Sequence, residues 1–149
     1  MNLILWRHAD AEDGRQDAER QLTVKGEKQA KKMAAWLKAR LPEGARVLVS
    51  PAQRAQQTAH ALTGSFETVA ALAVGAGAQD VLAAAGWSAR DDAVVVVVGH
   101  QPTLGQAAAL ALTGKPADWS LKKGGLIWLA RHAPRERPQL RAVIAPDLV

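Results

Sequence analysis

The chain has 149 residues, of which 48% are hydrophobic and 22% are charged, and it contains no cysteine. These values indicate one globular domain over residues 1–149, and they exclude disordered and fibrous proteins, disulfide scaffolds and thiolate metal sites. The net charge of +5 favours an anionic partner, which leaves nucleic acid, a membrane surface or a phosphorylated substrate as candidates.

Two of these partner classes are disfavoured by the sequence. The five Trp and the one Phe are dispersed and Tyr is absent, so no base-stacking surface for nucleic acid is expected. No apolar run reaches the ~18–20 residues that cross a bilayer, and the N-terminus meets Arg7 too soon for a signal peptide. We therefore expect a cytoplasmic protein with neither a membrane nor a nucleic-acid partner.

Predicted strands and helices alternate along most of the chain. The first half is predicted to hold a strand at Leu3–Trp6, a polar loop at Ala9–Arg20, a helix capped by Thr23 that ends before Pro42, a strand at Arg46–Val49, a helix at Ala52–Leu62 started by Ser50 and Pro51, and a weaker strand at Glu67–Ala73. The second half is predicted to hold a helix at Gln79–Ala85, a strand at Ala93–Val98, a helix at Thr103–Leu112, and strands at Leu126–Ala130 and Leu140–Ile144 joined by a turn through Pro134 and Pro138. The alternation predicts an α/β fold, a three-layer α/β/α sandwich around a mostly parallel sheet that ends in a hairpin.

Basic side chains follow three of the predicted strands. Arg7 and His8 come after the first strand, Arg54 lies in the first turns of the helix after the second, and His100 follows the valine-rich fourth strand. Ligands of open parallel sheets bind beyond the carboxyl ends of the strands, so these four side chains are expected to meet. Two guanidiniums suit the oxygens of a phosphoryl group, and a neutral imidazole can attack phosphorus directly.

Four sequence blocks also resemble a known family. They are Arg7–Glu12 (RHADAE), Arg20–Gly26 (RQLTVKG), Val49–Thr58 (VSPAQRAQQT) and Gly99–Pro102 (GHQP). In this order they resemble the histidine phosphatase superfamily, and within it the phosphohistidine phosphatases of the SixA type, over Leu3 to about Ala130. The resemblance implies a phosphoglycerate-mutase-like fold without a lid insertion. One departure is Ala9, because the commonest family signature has Gly after the Arg-His pair.

The resemblance also implies a role for each basic residue. His8 would be the phosphorylated nucleophile, Arg7 and Arg54 would hold the phosphoryl oxygens, and His100 would complete the pocket. Arg20 would line the pocket or its mouth. We expect burial and the neighbouring cations to lower the pKa of His8 below the usual ~6.5, which favours the neutral, nucleophilic imidazole.

The sequence leaves open which residue protonates the leaving group. Ester-hydrolysing relatives use a Glu after the third strand, but residues 71–80 contain no Glu and one acid, Asp80. Asp10 and Glu12 are the alternatives. A site without an evident acid fits the P–N bond of phosphohistidine better than a P–O ester, because an imidazole can leave as a neutral ring. His60 and His132 are expected to lie outside the site.

We therefore predict a phosphatase that acts through a His8 phosphoenzyme on phosphohistidine carried by a protein. The alternatives are a phosphatase of small phosphate esters with Asp80 or Asp10 as the acid, and a catalytically silent phosphate-binding module. No cluster with metal-ligand spacing is evident, so neither a metal nor another cofactor is expected. We expect a monomer, with Lys122 and Lys123 beside the substrate entrance.

Overall fold

A computed structural model describes residues 1–89, 91–133 and 135–149 of the chain. The strands are β1 (Asn2–Arg7), β2 (Arg46–Val49), β3 (Glu67–Thr68), β4 (Val94–Gly99), β5 (Leu126–Ala130) and β6 (Gln139–Ile144). The α-helices are α1 (Val24–Lys38), α2 (Gln53–His60), α3 (Ala78–Ala85) and α4 (Thr103–Thr113). Short 3-10 helices lie at Asp17–Glu19, Ala70–Leu72 and Pro146–Leu148.

The six strands form one sheet in the order β3-β2-β4-β1-β5-β6. Strand β4 pairs in parallel with β1 and with β2, and β2 pairs in parallel with β3. Strand β5 runs antiparallel to β1 and to β6, so the predicted terminal hairpin is confirmed. The parallel pairs therefore join the four neighbouring strands β3, β2, β4 and β1, and the carboxyl ends of β1, β4 and β2 lie side by side.

Side chains that alternate along the strands divide the core between the two faces of the sheet. On one face, Leu5 and Val97 pack in the cluster that contains the buried residues of α3 and α4. On the other face, Trp6 and Val98 pack with the buried residues of α1 and α2. The valines Val95–Val98 of the central strand are buried on both faces, as β-branched residues in such a strand should be. The predicted α/β/α sandwich is thus confirmed.

The predicted third strand is mostly wrong. Only Glu67–Thr68 of the predicted Glu67–Ala73 is a strand, and both of its residues are exposed at the sheet edge. The chain then turns through the 3-10 helix Ala70–Leu72, which buries Leu72 in the same cluster as α3. The segment Ala70–Leu72 is alanine-rich and has a low strand propensity. By turning away from the sheet it places Leu72 in the core.

The boundaries of three helices also differ from the prediction, those of α3 and α4 by one residue each. The predicted helix Ala52–Leu62 begins at Gln53 and ends at His60, and Pro51 lies before its first turn. Helix α1 is capped as predicted by the Thr23 hydroxyl, which accepts the N–H of Gly26, and it ends at Lys38, before Pro42 as predicted. The predicted turn at Pro134 lies outside the described residues.

In the part of the chain that the structure describes, no helix combines the length and the apolar character needed to span a membrane.

Candidate active site

The sheet brings the predicted basic residues together at the carboxyl ends of its parallel strands. Arg7 ends β1 opposite Gly99, the last residue of β4. Beyond the strands, the N–H of His8 donates to Gly99 O at 3.0 Å and the N–H of Ser50 donates to Val98 O at 3.0 Å. The residues that follow β1, β4 and β2 are therefore held side by side by backbone hydrogen bonds.

Three of the four predicted side chains form a buried cluster. His8, Arg54 and His100 are 7%, 3% and 5% exposed, respectively. The centroids of the two imidazole rings are 5.3 Å apart. Arg54 Nε donates to His8 Nε2 at 3.3 Å, which places one guanidinium directly against the imidazole. The cluster therefore combines a cationic group with two rings that can each bind or attack a phosphoryl group.

The contacts of His8 determine which of its nitrogens carries the proton. Its Nδ1 lies 2.7 Å from Ala9 O, a group that can only accept, so Nδ1 carries the proton and Nε2 carries the lone pair. Burial lowers the pKa of His8 to about 3; the Ala9 hydrogen bond raises it, while His100, Arg54 and Arg7 lower it further. The ring is consequently neutral at pH 7. No described residue other than glycine has a positive φ, so Ala9 causes no strain in place of Gly.

The tautomer of His100 is determined by Ser50. The fully buried Ser50 hydroxyl accepts the N–H of Ala52 at 3.2 Å and lies 2.7 Å from His100 Nε2. The single hydroxyl proton finds its acceptor at that nitrogen, so neutral His100 carries its own proton on Nδ1. Burial, and then the charge of Arg54, lower the pKa of His100 to about 4. His100 is thus a neutral hydrogen-bond donor at pH 7, which argues against a charged imidazolium.

Two buried donors that follow or end the neighbouring strands β4 and β1 have no partner among the described residues. They are Nε of Arg7 and Nδ1 of His100, and both atoms are buried. Arg7 is held from its other end, where Nη1 donates to Leu121 O at 2.7 Å. Buried donors without acceptors are costly and uncommon in folded proteins. An anion with several acceptor oxygens would satisfy both donors.

Asp17 is a site residue that the sequence analysis missed. Arg54 Nη1 donates to Asp17 O at 2.7 Å, and Arg54 Nη2 donates to Asp17 Oδ2 at 3.0 Å. One residue thus holds the far end of the guanidinium while Nε faces His8. Hydrogen bonds from Arg54, and then from Arg20, lower the pKa of Asp17. Nothing in its polar, aperiodic loop distinguishes this acid from its neighbours.

Arg20 is linked to the cluster through Asp17. Its Nε donates to Glu12 O at 2.7 Å, and its Nη1 donates to Asp17 Oδ1 at 3.1 Å. These contacts fold the loop that follows His8 over Arg54. The placement agrees with a position at the mouth of the pocket more than with direct contact to a phosphoryl group.

The carboxylates considered as proton donors have other partners. Asp10 accepts from Lys123 Nζ at 2.7 Å and from Thr23 Oγ1 at 2.8 Å, and these hydrogen bonds lower its pKa, which favours the ionised form. Asp80 is exposed and accepts the N–H of Gly77 at the start of α3. Both roles are structural ones, capping a helix or fixing a loop.

The remaining predictions concern histidines and metals. His60 and His132 are both exposed, and His60 stacks edge-on against Phe66. Across residues 1–89, 91–133 and 135–149, no three His, Asp or Glu side chains are grouped as metal ligands would be. Independence from metals stays a prediction.

Comparison with known proteins places this geometry in context. A model of the histidine phosphatase superfamily (branch 1) matches residues 3–73. An uncharacterized protein of Picosynechococcus sp. is 37% identical, with 91% of this chain and 88% of the relative aligned. Phosphohistidine phosphatase SixA of Escherichia coli is 46% identical over 59 residues, which is 39% of this chain and 37% of the relative. The protein histidine phosphatase SixA complexed with tungstate superposes with a TM-score of 0.81 at 25% identity, and 99% of both chains is covered.

Proposed function

Because the chain belongs to the histidine phosphatase superfamily and is a phosphatase, we propose that it hydrolyses phosphohistidine on a protein through a covalent intermediate on His8. One observation carries the proposal. Two buried donors, Arg7 Nε and His100 Nδ1, have no partner among the described residues, and the charge of Arg7 acts on both His8 and His100. The lone pair on His8 Nε2 accepts only from Arg54 Nε among the described residues, at 3.3 Å. Tungstate, the ion in the SixA structure, is a tetrahedral oxyanion like phosphate, which supports this use of the donors.

The first step needs no proton from the enzyme. His8 Nε2 attacks phosphorus, the P–N bond to the substrate imidazole breaks, and its electron pair stays on the departing nitrogen. If the far nitrogen of that ring carries a proton, the substrate histidine leaves as a neutral imidazole. Arg54 Nε, which donates to His8 Nε2 in the free enzyme at 3.3 Å, then donates to a phosphoryl oxygen instead. One imidazole replaces another on the same phosphorus atom.

The second step returns His8 to its starting state. Water attacks phosphorus, the P–Nε2 bond breaks, and both water protons end on the released phosphate. The proton on Nδ1 stays hydrogen-bonded to Ala9 O throughout, at 2.7 Å in the free enzyme. His8 therefore also leaves as a neutral imidazole, so the positioned donors need only stabilise the charge on the phosphoryl oxygens.

The state of the nearby carboxylates supports a P–N substrate over a phosphate ester. An alkoxide leaving group requires a protonated, positioned acid. The hydrogen bonds of Asp17 with Arg54 and of Asp10 with Lys123 lower the pKa of each, so both are ionised at neutral pH. Asp80 caps α3 from an exposed position. A small phosphate ester, with Asp80 or Asp10 as the acid, is the competing assignment.

Relative rates on two substrate classes test the assignment. We expect kcat/KM on a phosphohistidine protein to exceed that on a panel of sugar phosphates by at least about 100-fold, because the esters lack a leaving-group acid. Faster turnover of any ester would favour the competing assignment. Binding of phosphate without turnover of either class would indicate a catalytically silent module.

Replacing His8 tests the covalent intermediate. We expect His8→Ala to lower kcat by roughly 10⁴-fold or more, as removal of a nucleophile does elsewhere. With a ³²P-labelled phosphohistidine protein, rapid quenching should trap label on the wild-type enzyme and none on the variant. His60→Ala is the matched control, since His60 is exposed and lies outside the cluster. Label trapped on His8→Ala, or full activity of that variant, would contradict the mechanism.

A further inference from the structure

A basic groove lies beside the proposed active site. Lys25, Lys28 and Lys32 follow one another at spacings of three and four residues, so they form a stripe along one side of α1. Together with Val24 they face the C-terminal 3-10 helix Pro146–Leu148. We call this surface the lysine groove; it is lined by Val24, Lys25, Lys28, Lys32, Pro146 and Asp147.

Direct contacts join the lysine groove to the loop that carries His8. Gln29, which also lines the groove, accepts the N–H of Asp10 at 2.9 Å. Gly124 lies against Gln29 and Pro146, and its N–H donates to His8 O at 3.0 Å. The wall of the groove therefore touches the backbone at Asp10, two residues after the proposed nucleophile His8, and reaches His8 itself through Gly124. The groove thus adjoins the loop from which His8 enters the site, where a docked macromolecule can contact both.

The three lysines of the groove form no ion pair with a described carboxylate, although the charge of Lys25 helps to lower the pKa of nearby Asp10. In the described part of the chain, Lys25, Lys28 and Lys32 have no carboxylate within 4 Å. The acid that lines the groove, Asp147, pairs with Lys122 at 3.4 Å. The nearby Asp10 pairs with Lys123 at 2.7 Å. These pairings neutralise the acids at the rim and leave the three lysines free to bind an external anion.

The rim of the lysine groove also exposes apolar side chains. Val24 is 70% exposed at the first turn of α1, and Leu148 is 74% exposed in the opposite 3-10 helix. A surface that only maintains solubility has no need of exposed apolar residues beside its lysines. Interfaces between proteins commonly combine apolar contacts with a charged surround that steers the encounter.

We propose that the lysine groove docks the phosphohistidine protein, whose surface around the phosphorylated residue presents carboxylates and an apolar side chain. The proposal rests on the proposed function and adds the position and chemistry of the partner surface. Carboxylates of the partner would pair with Lys25, Lys28 and Lys32, and its apolar side chain would contact Val24. A free phosphorylated imidazole would reach the cluster without touching the groove.

Charge reversal tests the proposal. The test variant is Lys25→Glu, Lys28→Glu and Lys32→Glu, and the matched control carries the same charge change at Lys31, Lys38 and Lys115, which are exposed outside the groove. Both are assayed on an acidic protein phosphorylated on histidine and on free phosphoimidazole. We expect kcat/KM of the test variant on the protein to fall at least tenfold, mainly through KM, and its rate on phosphoimidazole to stay within twofold. The control variant should stay within about threefold on both substrates.

Each other outcome overturns the proposal. An equal fall in both variants on the protein substrate would mean that net charge, and not the groove, steers binding. An unchanged test variant would mean that the partner docks elsewhere. A wild-type enzyme that hydrolyses esters but neither P–N substrate would instead refute the proposed function, and the docking surface with it.

Discussion

Two neutral imidazoles with different tautomers lie side by side in the site. His8 donates from Nδ1 to Ala9 O and keeps its lone pair on Nε2. His100 accepts the Ser50 hydroxyl on Nε2 and keeps a proton on Nδ1, an atom without a partner among the described residues. In the mechanism that we propose, the first ring is the nucleophile and the second donates to the phosphoryl group. The difference arises from a single contact on each ring, because the second nitrogen of a histidine takes the opposite role to the first.

Ser50 should therefore affect catalysis without touching the substrate. Ser50→Ala removes the donor to His100 Nε2, and the proton of neutral His100 can then move to that nitrogen. We expect kcat to fall roughly 10- to 100-fold, the range found for residues that orient a metal-binding histidine through its second nitrogen. Steady-state kinetics on phosphohistidine protein would measure the loss.

If Ser50 served only to pack the site, its replacement would lower kcat without changing the tautomer of His100. The tautomer can be measured directly by ¹⁵N NMR of the His100 ring. In the wild type we expect the proton on Nδ1, and in Ser50→Ala a mixed or reversed tautomer. A His100 that holds its proton on Nδ1 in both proteins would refute this role for Ser50, whatever the change in kcat.

At the scale of elements, the start of α1 holds the loop that follows His8. The Thr23 hydroxyl caps the helix and donates to Asp10 Oδ2 at 2.8 Å, and the N–H of Thr23 donates to Asp10 O at 3.0 Å. Gly26 allows this approach, because a Cβ at that position would lie 2.0 Å from Asp10 O. A glycine in the first turn of an otherwise good helix is explained by this contact between backbones.

Gly26→Ala should displace the loop together with His8, the proposed nucleophile. We expect a loss of about 1–3 kcal/mol in the free energy of unfolding, as for other overpacked positions, with a fall in kcat. Denaturant unfolding and steady-state kinetics would measure both. Gly64→Ala is the control, since no atom lies within 4 Å of a Cβ there and no positive φ is required. Equal stability of the two variants would show that α1 and the loop can separate at little cost.

At the scale of the whole molecule, the buried histidines couple folding to pH. Burial is the main cause that lowers the pKa of His8 to about 3 and that of His100 to about 4, against about 6.5 in an unfolded chain. At a pH between the folded and the unfolded pKa of each histidine, the unfolded state binds more protons than the folded state. The free energy of unfolding therefore falls as pH falls below about 6.5.

Acidification from pH 7 to pH 5 should destabilise the protein. We expect a loss of about 2 kcal/mol in the free energy of unfolding for each of the two histidines, measured by urea denaturation at both pH values. Asp10 and Asp17 contribute little to this change in the free energy of unfolding. Hydrogen bonds lower the pKa of each, so both carboxylates stay ionised in the folded protein between pH 7 and pH 5. The double variant His8→Gln, His100→Gln should lose much less between the two pH values. If its loss equals that of the wild type, the two rings do not carry the pH dependence.

The order of elements, the α/β/α layers and the edge of the sheet where Arg7, His8, Arg54 and His100 gather could all be predicted from the sequence. This is possible because alternating apolar runs, caps and the parallel-sheet rule depend on short stretches of chain. The tertiary structure alone decided what depends on contacts between distant segments. It showed that Ser50 serves His100 more than the start of a helix, that Leu72 leaves the sheet for the core, and that Asp17 holds Arg54. A hydrogen bond across 37 or 50 residues leaves no periodic pattern in the chain, so only the folded arrangement reveals it.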